Sequence, residues 1–155
     1  NGIIKLNVST RKKGLGETLA QTILYLYETK LESLGKSYND FFVQMLMPKP
    51  KASNANNWPQ YRKDSKSEDE RERLITTIGN YFLLSINGKK SLKKKVDDAP
   101  VEKVSEMRNW SNDVRSNQIL TNPATNAGIQ VWNAESIRNR NTSLAKIFCE
   151  NIWSL

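Results

Sequence analysis

Two short apolar runs limit the architectures open to this chain. The first, Phe41, Phe42, Val43, Gln44, Met45, Leu46 and Met47, stops at Pro48 and Pro50, and the second, Tyr81 to Ile86, follows Gly79-Asn80 and precedes Asn87-Gly88. Both are too short for helices, rich in aromatic and branched residues, and nearly continuous in apolar character, so they are expected to be strands, the first of them buried. Prolines remove backbone donors and close the first. Asn87-Gly88 is a strong turn signal after the second.

Helical periodicity surrounds this pair. Apolar residues at Leu15, Leu19, Ile23, Leu26, Tyr27, Leu31 and Leu34 keep the three-or-four spacing of one helix face, with Gly35 placed as a C-cap. Ser67 with Glu70 three residues on forms a capping box for a helix running to about Ile78 and burying Leu74, Ile75 and Ile78. Pro100 suits the first turn of a helix through Val101, Val104 and Met107, and a short helix or loop follows around Val114. Asn133 can cap a last helix burying Ile137, Leu144, Ile147, Phe148 and Ile152. The expected class is α+β, predominantly helical, with a small two-stranded ββα-metal-like core surrounded by helices. Residues 1–155 are read as one domain, since 155 residues suffice for one core. The start at Asn1 and the strand-like Ile3-Ile4-Lys5-Leu6-Asn7-Val8 suggest a C-terminal piece of a longer protein.

Charge narrows the partner. With 24 Lys+Arg against 16 Asp+Glu the net charge is +8, and a polyanion, DNA first, is the expected partner. Five lysines stand within residues 89–95: Lys89, Lys90, Lys93, Lys94 and Lys95. Such a run is either a solvated face or a backbone-binding surface that reads no sequence. No segment reaches the length of a membrane span, so no membrane partner is expected. A lone Cys149 among apolar neighbours is read as packing, which with the absence of disulfides points to a cytoplasmic protein. Glu68-Asp69-Glu70 reads as helix capping and Asp97-Asp98 as loop solvation rather than as metal sites. Trp58 is read as an anchor pinning the polar loop over residues 51–66.

In order and spacing the chain resembles the C-terminal, HNH-like (His-Me finger) domain of the GmrSD-type modification-dependent restriction endonucleases, a phage-defence family. The resemblance rests on Gln44, Met45 and Pro48, then Trp58, then Gly79-Asn80-Tyr81 with Leu83-Leu84-Ser85, then Asn87. Trp132, Ile137, Arg138, Arg140, Leu144, Ala145 and Trp153 continue it to the C-terminus. In that family an acidic residue and a histidine precede the hydrophobic-hydrophobic-Pro step. The resemblance implies a histidine that deprotonates water and a carboxylate that holds Mg²⁺ or Mn²⁺ against the scissile phosphate. Here those positions carry Gln44 and Met45, and the chain contains no histidine at all. An amide is a poor ligand and a thioether neither accepts a proton usefully nor suits a hard cation.

The expectation is therefore a nuclease-like domain that has lost catalysis and binds DNA through backbone contacts, next to an N-terminal domain or subunit of the parent protein. No cofactor is expected, and Mg²⁺ or Mn²⁺ only if the chain is active. The alternatives are an active metal-dependent endonuclease using other ligands or inactivated by engineering at Met45, and a non-enzymatic protein-interaction module. Asn80 could support a metal-site residue or tie the loop between strands, and the second is expected. Asn87 is read as a turn residue at a family site position. Arg138 is the expected partner in a buried ion pair, and Arg138 and Arg140, two apart on a helix, cannot share a face.

Overall fold

A computed structural model describes residues 15–31, 37–49, 67–92, 103 and 132–151. Helix α1 spans Leu15–Leu31, strand β1 Phe41–Met45, helix α2 Glu68–Ile75, strand β2 Tyr81–Ser85, helix α3 Ile86–Ser91 and helix α4 Ala134–Asn151. Single 3₁₀ turns, Tyr38–Asp40 and Ile78–Asn80, lead into the two strands. The expected strand over residues 3–8, Gly35, Trp58, Asp97-Asp98, Lys93 to Lys95, the elements over residues 100–120, Ile152 and Trp153 lie outside the described residues.

The strands form one antiparallel pair, with Phe41 opposite Ser85, Val43 opposite Leu83 and Met45 opposite Tyr81. Alternation sends successive side chains to opposite faces, and both faces are covered. Phe41, Tyr81 and Leu83 pack with Ala20, Leu24 and Tyr27 of α1 and with Leu144 of α4. Phe82 and Leu84 pack with Leu46, Ile75, Trp132 and Ile137. All five residues of β2 are buried, which is why its sequence is a continuous apolar run. At roughly 1.5–3 kcal/mol for each large side chain removed from water, this strand is the densest source of stability in the described part of the molecule. The described residues are thus mixed helix and sheet, mostly helical.

Local signals explain the helix ends. The Ser67 hydroxyl accepts from the Glu70 N–H at 3.1 Å, capping α2. On α4, the Asn133 carboxamide oxygen accepts from the Ser136 N–H at 2.9 Å while the Ser136 hydroxyl accepts from the Asn133 N–H at 3.3 Å. The two orphan donors at that helix start are satisfied reciprocally.

Cys149, expected to pack, is instead exposed on α4, and two further expectations are corrected. First, α1 buries Ala20, Leu24, Tyr27 and Glu28, whereas Leu19 and Leu26 are each 41% exposed. The helix is turned so that a carboxylate, rather than a leucine row, faces the core beside Arg140. Second, Asn87-Gly88 forms no hairpin turn. The Ser85 hydroxyl accepts from the Gly88 N–H at 3.2 Å and caps α3, so the chain leaves β2 directly into a helix.

Gly79 is required by contact rather than by chain reversal. A Cβ at this position would collide with the Ile137 carbonyl oxygen and the Asn141 side chain, both on α4. Gly79→Ala is therefore expected to push α4 off the 3₁₀ turn and lower stability by about 1–3 kcal/mol, read as a lower denaturant midpoint in urea.

Candidate functional site

The residues singled out by sequence converge on the junction where β1 ends and β2 begins. Met45 stands opposite Tyr81 and Gln44 opposite Phe82, and the Leu46 N–H donates to the Asn80 carbonyl at 2.9 Å. Gln44, Met45 and the Gly79-Asn80 step are thus immediate neighbours. They do not share a face: Met45 packs with the α1 cluster, and alternation turns Gln44 to the opposite side with Phe42.

Asn80 is fully buried and its carboxamide is committed to the fold. Its oxygen accepts from the Met47 N–H at 2.9 Å and from the Trp132 indole N–H at 3.2 Å. Its amide nitrogen donates to the Met47 carbonyl at 2.8 Å and to the Ile75 carbonyl at 2.9 Å. One side chain therefore ties the end of β1, the end of α2 and the approach to α4. This arrangement matches the loop-tying reading of Asn80. Asn87 is exposed on α3, away from this knot.

On the other side of the same turn lies Arg140, 2% exposed. Its Nη1 donates to the carbonyls of Ile78 at 3.2 Å, Gly79 at 2.9 Å and Tyr81 at 2.6 Å, and the guanidinium lies 3.7 Å from the Phe82 ring centroid. Burial pushes its pKa down to about 9, while Tyr27 and the buried Glu28 favour the charged form. It remains a cation at neutral pH. Asn141, the next residue, donates to the Thr77 hydroxyl at 2.7 Å and accepts from the Gly79 N–H.

The expectation for Arg138 is overturned by these contacts. Its side chain is 53% exposed and meets Glu70 at 3.9 Å, a surface pair of small energetic weight. Of the two arginines, Arg140 is the buried one. The signal was present in the sequence, because Arg140 falls between Ile137 and Leu144 on the apolar stripe of α4. The family resemblance instead directed the expectation to Arg138.

The register also explains Gln44. Since Leu46 bonds to Asn80, the directly opposed pairs 44/82 and 42/84 exchange ladder bonds, and Phe41, Val43 and Met45 turn their backbone groups to the outer edge of β1. Two of those outward carbonyls are capped by glutamine amides. Gln21 donates to Phe41 O at 3.0 Å, and Gln44 donates to Met45 O at 3.1 Å. Such caps blunt an edge that could otherwise recruit another strand. An amide performs this task and a carboxylate could not, having no hydrogen to donate.

Around the opposite face, α3 presents Lys89 and Lys90, both exposed. The Lys89 ammonium lies 3.8 Å from the centroid of Phe42. Among the described residues neither lysine forms an ion pair with a carboxylate, and no group of three His, Cys, Asp or Glu could hold a metal ion. Among the described residues no helix is long and apolar enough to cross a membrane.

Comparison of the chain with protein-family models, with curated proteins and with solved structures found no match.

Asn80→Ala leaves two N–H donors and two carbonyls without partners in a dry interior, so it is expected to lower stability by at least about 3 kcal/mol in urea unfolding. Tyr81 gives a pH-dependent counterpart. Burial, aided by Glu17, pushes its phenol up to about 12 from 10.0. The folded state keeps a proton that the unfolded chain releases, so this contribution is complete below pH ~10 and is lost as pH climbs toward ~12. Tyr81→Phe is accordingly expected to lose less stability than the wild type between pH 10 and 12, measured by denaturation at each pH.

Proposed function

We propose that this chain is a nuclease-like DNA-binding domain of the kind found in modification-dependent restriction and phage-defence proteins, without the catalytic base and the metal-binding carboxylate. The observation that carries the reading is the strand pairing. It sets the hydrophobic-Pro step of β1 against the Gly79-Asn80 step of β2, and a lysine-bearing helix follows β2 without a linker. That is the order of a ββα-metal core, and the resemblance drawn from the sequence assigns the base to Met45 and the acidic ligand to Gln44.

The proposed mechanism is binding alone. A phosphate diester approached by Lys89 and Lys90, with Lys93 to Lys95 following in sequence, is held by charge, and each neutralised phosphate releases condensed counterions. Met45 offers no lone pair basic enough to take a proton from water. The Gln44 amide is engaged with the backbone of its own strand, and the Asn80 carboxamide with four partners in the fold. The chain would then position DNA for a partner domain or subunit of the parent protein that supplies the chemistry.

A protein-interaction module is the second reading, favoured by the exposure of Leu19 and Leu26 on the outer side of α1. The two readings differ in salt dependence. Duplex binding followed by fluorescence anisotropy is expected to give a slope of log affinity against log salt of about −2 or steeper, corresponding to two or more phosphates. A slope near zero would remove DNA as the partner. Restoring the family pair with Gln44→Glu and Met45→His is expected to bring back Mg²⁺-dependent nicking of plasmid DNA at a low rate. Failure to do so in a folded, DNA-binding variant would show that the rest of the catalytic frame is absent.

A further inference from the structure

Phe42 and Gln44 lie on one face of β1, two residues and therefore roughly 7 Å apart along the strand. Over that face stands the Lys89 ammonium, 3.8 Å from the Phe42 ring centroid. We propose that the Phe42–Gln44 face of the sheet, roofed by Lys89, takes a nucleic-acid phosphate directly on the lysine, with no bridging divalent cation. The inference rests on the DNA-binding reading above and deepens it by naming what supplies the positive charge.

Three features support it. The ring face attracts the cation without neutralising it, so Lys89 is oriented by Phe42 yet keeps ammonium hydrogens for an anion. Lys89 pairs with no carboxylate among the described residues, so a phosphate would meet an uncompensated charge. The groups beside it also fit no hard cation. Mg²⁺ and Mn²⁺ require oxygen ligands; Gln44 contributes an uncharged amide that already donates to Met45 O, Met45 a thioether on the other face, and the Lys89 ammonium adds positive charge over the Phe42 side. Lysine charge and metal charge are alternatives at this place, and the side chains present favour lysine.

The test uses the full chain and a labelled random-sequence duplex, titrated in EDTA and in Mg²⁺ at matched ionic strength. Affinity is expected to agree within about twofold between the two conditions. Lys89→Ala is expected to weaken binding about three- to tenfold and to reduce the salt slope by about 0.9, the share of one phosphate. Lys89→Arg should retain both. Urea midpoints of the variants separate lost contacts from lost folding. Binding that tightens tenfold or more with Mg²⁺, or that is unchanged in a folded Lys89→Ala protein, would overturn the inference alone. No duplex binding in either condition would overturn it together with the reading it rests on.

Discussion

The Ile78–Asn80 turn is held from two sides by buried polar groups, and the rest of the described structure is arranged around it. Asn80 bonds outward to β1, α2 and Trp132, while Arg140 gathers the turn's carbonyls from α4. A 3₁₀ turn exposes backbone groups that a strand or α-helix would satisfy internally, and burying it without partners is costly. Here a carboxamide and a guanidinium supply those partners, so the turn can sit inside the core. Gly79 has no side chain for the same reason: α4 must approach closely enough for Arg140 and Asn141 to reach.

The charge of Arg140 has consequences for α1. A guanidinium in a dry interior needs an opposing charge nearby, and Glu28 lies buried among the residues of α1 that face the core. Helix α1 presents Ala20, Leu24, Tyr27 and Glu28 inward and leaves Leu19 and Leu26 outside, and both Tyr27 and Glu28 favour the charged form of Arg140.

The same frame separates structure from function at the strand junction. Asn80 and Gln44 occupy positions that the family resemblance associates with catalysis, yet in this chain their amides are used by the backbone. Asn80 closes the core, and Gln44 caps the outer edge of β1. What remains available to a ligand is on α3, where Lys89 rests on Phe42.

Sequence alone determined the two strands, the Ser67 and Asn133 caps and the approximate bounds of α1, α2 and α4. These follow from local chemistry: continuous apolar runs, capping side chains and helical spacing act within a few residues. Tertiary structure decided which arginine is buried, which face of α1 turns inward, that Leu46 meets Asn80, and why position 79 is glycine. Each depends on partners far away in the chain, such as Arg140 with the carbonyls of Ile78 and Gly79. Residue periodicity marks which positions share a face, but the choice between a leucine and a charged group on that face is made by the partner waiting across the core.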